Sequence, residues 1–421
     1  MSRTKEYQFE HVEWSKAANI YEVNIRQFTP EGTFNAFRSH LPRLKKMGVD
    51  ILWFMPIHPV GIKNRKGTLG SGYSVKDYYQ VNPEFGSLDD FKALVQEIHS
   101  MGMYVLIDWV ANHTAWDNCW VTEHPEWYKK NEKGEIHSYI YDNGKELEYW
   151  DDVVGLDYKH PKLWDAMINA LSYWVKFVGI DGYRCDVAGL VPVKFWEKAR
   201  AELDSIKPIF MLAEWSSPEL HNKAFDMTYD WGLYDVMSNI VKGKSTALAI
   251  REHVELSAME YPEDAYRMAF TTNHDKNSWD ECDTKLYGHA FKAYSVLAMT
   301  LLGMPLIYSG QESGLDKQLS FFAKEDINWK AFQYDDFYKQ LLMLKKNNPA
   351  LWNGQYGAKT QVLEETSDTV FCFSREKDKN SIVVMINLSD RNQQFYSKKL
   401  LQEIKLKPFE YKITTSNQSD I

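Results

Sequence analysis

The 421-residue chain lacks the features that mark several classes of protein. Its four cysteines, Cys119, Cys185, Cys282 and Cys372, are far apart and include no CxxC pair. This excludes a disulfide framework and a cysteine zinc motif, and it is typical of reduced thiols. No run of about 18 apolar residues occurs, so no transmembrane helix is predicted. No GxGxxG sequence opens a predicted helix, which argues against a dinucleotide-binding fold.

Positive charge is also scarce. Lys and Arg total 49 against 58 Asp and Glu, and the formal net charge is −9. Nucleic acids and anionic membranes favour proteins with a strongly basic face, so we expect neither as a partner. The first seven residues are polar and carry no apolar signal-peptide core, so we expect a cytoplasmic protein.

The first 345 residues alternate short apolar runs, rich in residues that favour strands, with longer amphipathic segments. The predicted strands are 20–24, 51–55, 104–109, 182–186, 209–214, 226–230, 269–272 and 306–309. The predicted helices include 34–47, 88–101, 162–177, 193–203 and 289–302. Eight strands that alternate with helices predict an α/β fold, a (β/α)8 TIM barrel.

One polar segment, residues 114–155, interrupts this alternation after the third strand. It carries turn signals and many aromatic residues but no clear helical pattern, which indicates a short inserted subdomain. Loops that follow barrel strands lie on the C-terminal face of the barrel, so we expect this segment to overhang the functional site. The catalytic barrel would then comprise residues 1–113 and 156–346.

The pattern changes again after residue 346. Alternating β-rich runs occur at 369–374, 381–387 and 409–413. They predict a small C-terminal antiparallel β domain over residues 347–421. We expect this domain to shield the barrel.

Acidic residues end three of the predicted strands: Asp186 in GYRCD, Glu214 in MLAEW and Asp275 in NHD. A bare carboxylate at the end of a buried strand is costly unless it is paired or functional. The C-terminal ends of barrel strands converge, and Asp186 and Glu214 lie one strand–helix–strand unit apart. Such a pair can cleave a glycosidic bond with retention, which requires a carboxylate nucleophile and a carboxylic acid roughly 5–5.5 Å apart.

Neighbouring residues favour different roles for these two carboxyl groups. Arg184 lies two residues before Asp186, on the same face of the strand, where its charge is expected to keep Asp186 ionised. Glu214 is followed by Trp215. Burial against that ring is expected to raise the pKa of Glu214, so that it holds the proton a general acid must donate.

Four short motifs occur in the order of a known family. They are DWVANH at 108–113, GYRCD at 182–186, a strand-end Glu214 followed by Trp215, and NHD at 273–275. At these positions the chain resembles the α-amylase family of glycoside hydrolases, and the likeness extends over about residues 20–344. Two further segments, GYSVKDY at 72–78 and GMPLIYSGQE at 303–312, are similar to the family's tyrosine-bearing loop and its eighth strand.

The resemblance implies a role for each candidate residue. Asp186 would be the nucleophile, Glu214 the acid/base and Asp275 the transition-state stabiliser. The residues implied to bind or orient the substrate are Tyr73, Asp108, His113, Arg184, Trp215 and His274. The implied substrate is an α-glucan, namely starch, glycogen or a maltooligosaccharide.

The likeness is weaker where family members bind calcium and select linkages. Many members carry Lys-His shortly after the nucleophile, whereas Asp186 is followed here by Val-Ala-Gly-Leu. Asn112 is retained and is an implied Ca²⁺ ligand, with carboxylate candidates in Asp117, Asp142, Asp151 and Asp152. The segment VGLD at 154–157 lacks the QxDLN form typical of α-1,6-acting and short-substrate members, which favours α-1,4 links.

Three functional hypotheses remain open. The first is a retaining α-1,4-glucan hydrolase, an α-amylase. The second is a 4-α-glucanotransferase, which uses the same site but passes the glycosyl group to a sugar instead of water. The third is a catalytically inactive carbohydrate-binding barrel, since a fold never guarantees activity. Inactive relatives are expected to lose one of the three acids, and all three are present here.

Overall fold

The computed structural model describes residues 9–329 and 331–416. In chain order the strands are β1 Ile20–Val23, β2 Ile51–Phe54, β3 Tyr104–Val110, β4 His113–Ala115, β5 Ser138–Asp142, β6 Leu147–Gly155, β7 Gly182–Asp186, β8 Phe210–Ala213, β9 Met227–Tyr229, β10 Tyr266–Ala269, β11 Met304–Tyr308, β12 Gln361–Val362, β13 Val370–Lys377, β14 Asn380–Asn387, β15 Gln393–Ser397, β16 Gln402–Leu406 and β17 Tyr411–Thr415.

The α-helices alternate with these strands over most of the chain. They are α1 Ile25–Phe28, α2 Phe34–Arg38, α3 Leu41–Met47, α4 Leu88–Ser100, α5 Cys119–Glu123, α6 Pro161–Tyr173, α7 Val193–Ile206, α8 Trp231–Val241, α9 Leu248–Glu260, α10 Asp283–Tyr287, α11 Phe291–Thr300 and α12 Asp335–Asn347. Within the described ranges, no helix combines the length and the apolar character needed to cross a bilayer.

Eight parallel strands close into a barrel in the order β1, β2, β3, β7, β8, β9, β10 and β11. Strand β1 pairs with both β2 and β11, and this pairing closes the ring. The strand residues are almost all buried because they face either the barrel interior or the surrounding helices. The predicted (β/α)8 barrel is therefore confirmed.

Some predicted boundaries were wrong. The strand predicted at 269–272 is β10 at Tyr266–Ala269, because pairing with β9 and β11 ends before the strand-favouring run Phe-Thr-Thr that follows. The helix predicted at 34–47 is two helices, α2 and α3. Pro42 lies in the first turn of α3, where its missing N–H costs little, whereas inside a longer helix it would break the hydrogen-bond ladder.

The inserted segment forms an antiparallel sheet in the order β4, β6 and β5. Strand β4 begins at His113, three residues after the end of barrel strand β3, and pairs with the C-terminal end of β6. Strands β5 and β6 form a hairpin that projects from this base. The sheet is thereby anchored at the C-terminal end of the barrel, where the βα-loops build the functional site.

Two further antiparallel sheets follow the barrel, with the orders β12-β13-β14-β17 and β15-β16. One face of the four-stranded sheet shares apolar side chains with the barrel core, and β15 and β16 pack in a separate cluster with its other face. Arg375 on β13 is buried and donates to the backbone carbonyl groups of Ala358, Thr300 and Trp352. A buried guanidinium must have acceptors, and the bond to Thr300 links the C-terminal sheet to helix α11 of the barrel.

Candidate active site

A cavity of about 630 Å³ opens at the C-terminal ends of the barrel strands. Asp186 ends β7, Glu214 follows β8, and Asp275 lies in the segment after β10, and all three line the cavity. The other predicted site residues in its wall are Tyr73, His113 and His274. The barrel therefore brings six of the predicted residues together, although they are up to 202 positions apart.

Arg184 links the two central carboxyl groups. Its Nη1 donates to Oδ1 of Asp186 at 3.1 Å, and its Nη2 lies 2.9 Å from Oε1 of Glu214. The fully buried guanidinium also donates from Nη1 to Asp108 at 2.8 Å and from Nε to the Tyr229 hydroxyl at 3.1 Å. One planar cation therefore holds Asp186 and Glu214 side by side, as a retaining pair roughly 5–5.5 Å apart requires.

Carboxyl groups outnumber cations in this cluster. Burial raises the pKa of Asp186 well above its usual value, and the charge of Glu214 raises it further, although Arg184 opposes both effects. Burial also raises the pKa of Glu214, again against the effect of Arg184. Arg184 lowers the pKa of Asp186, as expected, but in the free site burial and the neighbouring carboxyl groups outweigh this effect. The raised pKa values of Asp186 and Glu214 favour a proton shared within this cluster, as general-acid catalysis requires.

Asp108 is fully buried, and the wall formed by the described residues does not include it. Its carboxylate accepts hydrogen bonds from Arg184, from the indole N–H of Trp53 at 3.2 Å and from the Tyr73 hydroxyl at 3.1 Å. The predicted contact between Asp108 and substrate is therefore not supported. Its geometry fits a different task, which is to hold Arg184 and Tyr73 in place beneath the cavity. Arg184 is equally buried and is not among the described residues of the wall, and its charged partners there are the carboxyl groups of Asp108, Asp186 and Glu214.

Glu22 is a candidate that the sequence reasoning missed. It lies fully buried within β1, with Oε1 2.5 Å from Nδ1 of His274, while Nε2 of His274 is 2.7 Å from the Tyr73 hydroxyl. Burial lowers the pKa of His274, but the charges of Asp275 and Glu22 more than offset it and raise the pKa to about 9. His274 therefore carries a proton at neutral pH. The signal was present in the sequence, since Glu22 is an acid within the apolar run IYEV.

The residue after Asp186 has a strained backbone. Val187 has φ 37° and ψ 47°, a left-handed conformation that β-branched residues rarely adopt. Its backbone N–H donates to Oε2 of Glu214 at 2.7 Å. Trp215 packs over the same loop, since a Cβ atom at Gly189 would lie 2.1 Å from the indole ring. Trp215 is not among the described residues of the cavity wall, so its predicted contact with substrate is not supported either.

The predicted calcium ligands have other partners. The Asn112 side-chain amide lies 3.2 Å from Nδ1 of the neighbouring histidine. Asp117 pairs with Lys76 at 3.1 Å, and Asp152 lies 3.5 Å from Lys66. Across residues 9–329 and 331–416, no three His, Cys, Asp or Glu side chains are grouped to hold a metal ion. These partners do not suit the calcium site that the resemblance implies at Asn112.

Aromatic side chains form much of the cavity wall. Tyr149 and Trp150 contribute from the β5–β6 hairpin, and the Trp150 ring meets the His113 ring edge-on at a centroid distance of 5.5 Å. The inserted segment therefore overhangs the site as predicted. The ring of Phe321 stacks against Tyr73 at 5.8 Å. Flat apolar rings around a few convergent polar groups are suited to a sugar, whose ring faces are apolar and whose edges carry hydroxyl groups.

Comparisons with known proteins agree with this geometry. The family model for the α-amylase catalytic domain matches residues 7–328. α-Amylase 2 of Dictyoglomus thermophilum is 27% identical over an alignment of 430 positions, and the match covers 92% of this chain and 72% of that protein. The α-1,4-glucan:maltose-1-phosphate maltosyltransferase of Picrophilus torridus is 27% identical over 417 residues, and the match covers 91% of this chain and 62% of the transferase. The crystal structure of an α-amylase from Lactobacillus plantarum has a TM-score of 0.81 and 30% identity, with 96% of this chain and 99% of that chain covered.

Proposed function

The chain belongs to the α-amylase family of glycoside hydrolases and is a glycosidase, and on this premise we propose that it hydrolyses α-1,4-glucosidic bonds with retention. The substrates would be starch, glycogen or maltooligosaccharides. Asp186 is the proposed nucleophile, Glu214 the acid/base, and Asp275 the group that stabilises the transition state.

One observation carries this proposal. The Arg184 guanidinium contacts both Asp186 and Glu214 at the base of the cavity, at 3.1 Å and 2.9 Å. Burial raises the pKa of both carboxyl groups, which favours a proton shared by the pair. A nucleophile and a proton donor in one cavity are what the first step of retaining hydrolysis requires.

In the first step, an oxygen of Asp186 bonds to the anomeric carbon while the bond from that carbon to the leaving oxygen breaks. Glu214 gives its proton to the leaving oxygen, so no alkoxide is released. The developing positive charge on the sugar lies near Asp275, which is partly exposed to the cavity. We assign contacts with the sugar hydroxyls to His113 and the protonated His274, and stacking against the sugar ring to Tyr73.

In the second step, Glu214 accepts a proton from a water molecule, whose oxygen attacks the anomeric carbon. The bond to Asp186 then breaks and the carboxylate leaves, which restores the free site with retention at that carbon. The second step balances in the same way when a sugar hydroxyl takes the place of water as the acceptor. The second candidate is therefore an α-glucan transglycosylase, which the 27% identity to a maltosyltransferase favours.

The test is incubation of the purified protein with maltoheptaose, with products resolved by chain length at early times. We expect only shorter oligosaccharides. Products longer than the heptaose would show that sugar intercepts the glycosyl-enzyme, and they would replace the hydrolase proposal with the transferase. No change in the heptaose would contradict both and leave a binding protein.

A further inference from the structure

Trp279 is a large apolar side chain left exposed beside the catalytic cavity. It is 58% exposed, yet it belongs to the wall of the cavity that contains Asp186 and Glu214. An indole in this position forgoes much of the hydrophobic stabilisation that burial would supply. An exposed aromatic group that is continuous with a binding cavity indicates a contact surface for a ligand.

Other aromatic rings connect Trp279 to the cleavage position. Its ring lies 5.2 Å from that of Phe321 and 5.8 Å from that of Phe322. Phe321 in turn stacks on Tyr73 at 5.8 Å with an angle of 16° between the planes. The wall is therefore continuous and aromatic from Tyr73 outward to Trp279.

Hydrogen bonds hold the segment that carries Trp279. The segment is a π-helical turn over Lys276–Asp280. Asn277 donates to the carbonyl of Lys317 at 3.1 Å and accepts from the N–H of Leu319 at 2.8 Å. Ser278 donates to the carbonyl of Leu319 at 2.8 Å. Because bonded residues directly precede it, the indole is presented by a rigid turn, which lowers the entropy cost of binding.

The loop of Phe322 is fixed as well. Its carbonyl accepts from the N–H of Leu69 at 3.0 Å. At Gly67, with φ +61°, an added Cβ atom would lie 2.5 Å from Phe322, so the two loops are in close contact. Three loops, those that follow β2, β10 and β11, therefore meet around Trp279.

The position of these loops indicates which part of the substrate they meet. Val187 and Glu214 directly follow the adjacent strands β7 and β8. Trp279 and Phe321 lie in the loops after the adjacent strands β10 and β11, on the other side of the barrel opening. Glu214 must lie beside the leaving group to protonate it. Trp279 lies on the other side of the cavity. It therefore faces the glycone, the part of the substrate that stays bonded to the enzyme after the first step.

We propose that Trp279, backed by Phe321 and Phe322, is a stacking platform for a glucosyl unit on the non-reducing side of the cleavage position. The platform makes the enzyme select substrates whose glycone is longer than one glucose. This inference rests on the proposed function, since it assigns the substrate orientation from the role of Glu214.

The test compares two chromogenic substrates, 2-chloro-4-nitrophenyl α-maltotrioside and the corresponding α-glucoside, which differ only in glycone length. The variants are Trp279→Ala, Trp279→Phe and the control Phe177→Ala. Phe177 is matched in exposure at 59%, but it lies between α6 and the N-terminal end of β7, away from the cavity.

We expect Trp279→Ala to lower kcat/KM on the maltotrioside roughly tenfold, mainly through KM, as loss of one aromatic contact would. The loss on the glucoside should be much smaller, and Trp279→Phe should recover part of the maltotrioside activity. Phe177→Ala should behave as the wild type on both substrates.

Equal losses on both substrates, or no loss on the maltotrioside, would overturn the platform. Failure of the proposed function can be distinguished from failure of the platform, because the wild type itself would then leave maltoheptaose unchanged. In that case, isothermal titration of the wild type and of Trp279→Ala with maltoheptaose decides the inference. Weaker binding by the variant supports the platform, and equal or absent binding contradicts it.

Discussion

Two buried arginine–carboxylate clusters lie at opposite ends of the barrel. At the N-terminal end, Arg200 donates to Asp226 at 2.8 Å, and Asp226 also accepts from the Met211 N–H at 2.8 Å and lies 2.7 Å from His11. At the C-terminal end, the single guanidinium of Arg184 faces three carboxyl groups within 3.1 Å. Both clusters are built on a buried arginine, but Arg200 pairs with two carboxyl groups, those of Asp204 and Asp226, whereas Arg184 pairs with three.

The pKa shifts in the two clusters have opposite signs. Burial raises the pKa of Asp226, but Arg200 and His11 more than offset it, so the pKa is lowered. Burial and the charge of Glu214 outweigh Arg184 and raise the pKa of Asp186. A buried acid with enough donors stabilises the fold, whereas acids in excess of their cation retain a proton and can do chemistry.

The largest expected effect is that of Asp186→Asn. Turnover of maltoheptaose should fall by about 10⁴-fold or more, because the covalent intermediate cannot form. The free energy of unfolding should stay the same or increase, because the substitution removes a charge from a crowded cluster. Product formation over hours and urea denaturation would measure both. Substantial residual turnover would rule out Asp186 as the nucleophile.

Removal of the acid should be nearly as severe, but only for some substrates. Glu214→Gln should reduce hydrolysis of maltoheptaose by roughly 10²–10⁴-fold, the usual contribution of a general acid. The first step on an activated aryl glycoside should be spared, because its leaving group needs no proton. Burst kinetics with both substrates would reveal the difference, and equal losses in the first step would argue against this role.

Asp226→Asn should affect stability and not chemistry. Removal of a buried counter-charge of Arg200 should cost about 3 kcal/mol in the free energy of unfolding, while kcat of the folded protein stays unchanged. Because the pKa of Asp226 is lowered from 3.8, its contribution to stability is present above pH 3.8 and is lost as the pH falls through the folded value. Urea midpoints against pH would test this. A fall in kcat would mean that the Arg200 cluster at the N-terminal end of the barrel influences the active site at the C-terminal end.

The smallest expected effect is a shift in pH dependence. The raised pKa of His274 contributes stability that is complete below pH 6.5 and is lost as the pH rises through about 9. Glu22→Gln removes one of the charges that raise this pKa. We expect the alkaline limb of kcat/KM to move down by about one pH unit, with little change at pH 6. An alkaline limb identical to that of the wild type would exclude Glu22 from this role.

Local patterns predicted the barrel and the convergence of its acids well. Asp186 and Glu214 lie one strand–helix–strand unit apart. This spacing predicted that their carboxyl groups meet, because the C-terminal ends of barrel strands lie close together. The strand near residue 270 was misplaced, since Phe270, Thr271 and Thr272 favour strands as strongly as the residues that pair. Only the hydrogen-bonded pairing with β9 and β11 shows which of these residues belong to the strand.

The sequence by itself determined the fold class, the positions of the three acids and the loop that covers them, because these depend on periodicity and on spacing along the chain. The tertiary structure decided what those residues face. Trp215 packs over Gly189, whereas Trp279 lies in the cavity wall. The proton balance around Arg184 depends on Asp108, Asp186 and Glu214 together, and that around His274 on Glu22, 252 positions away. Electrostatic interactions act through space, so only the folded chain determines them.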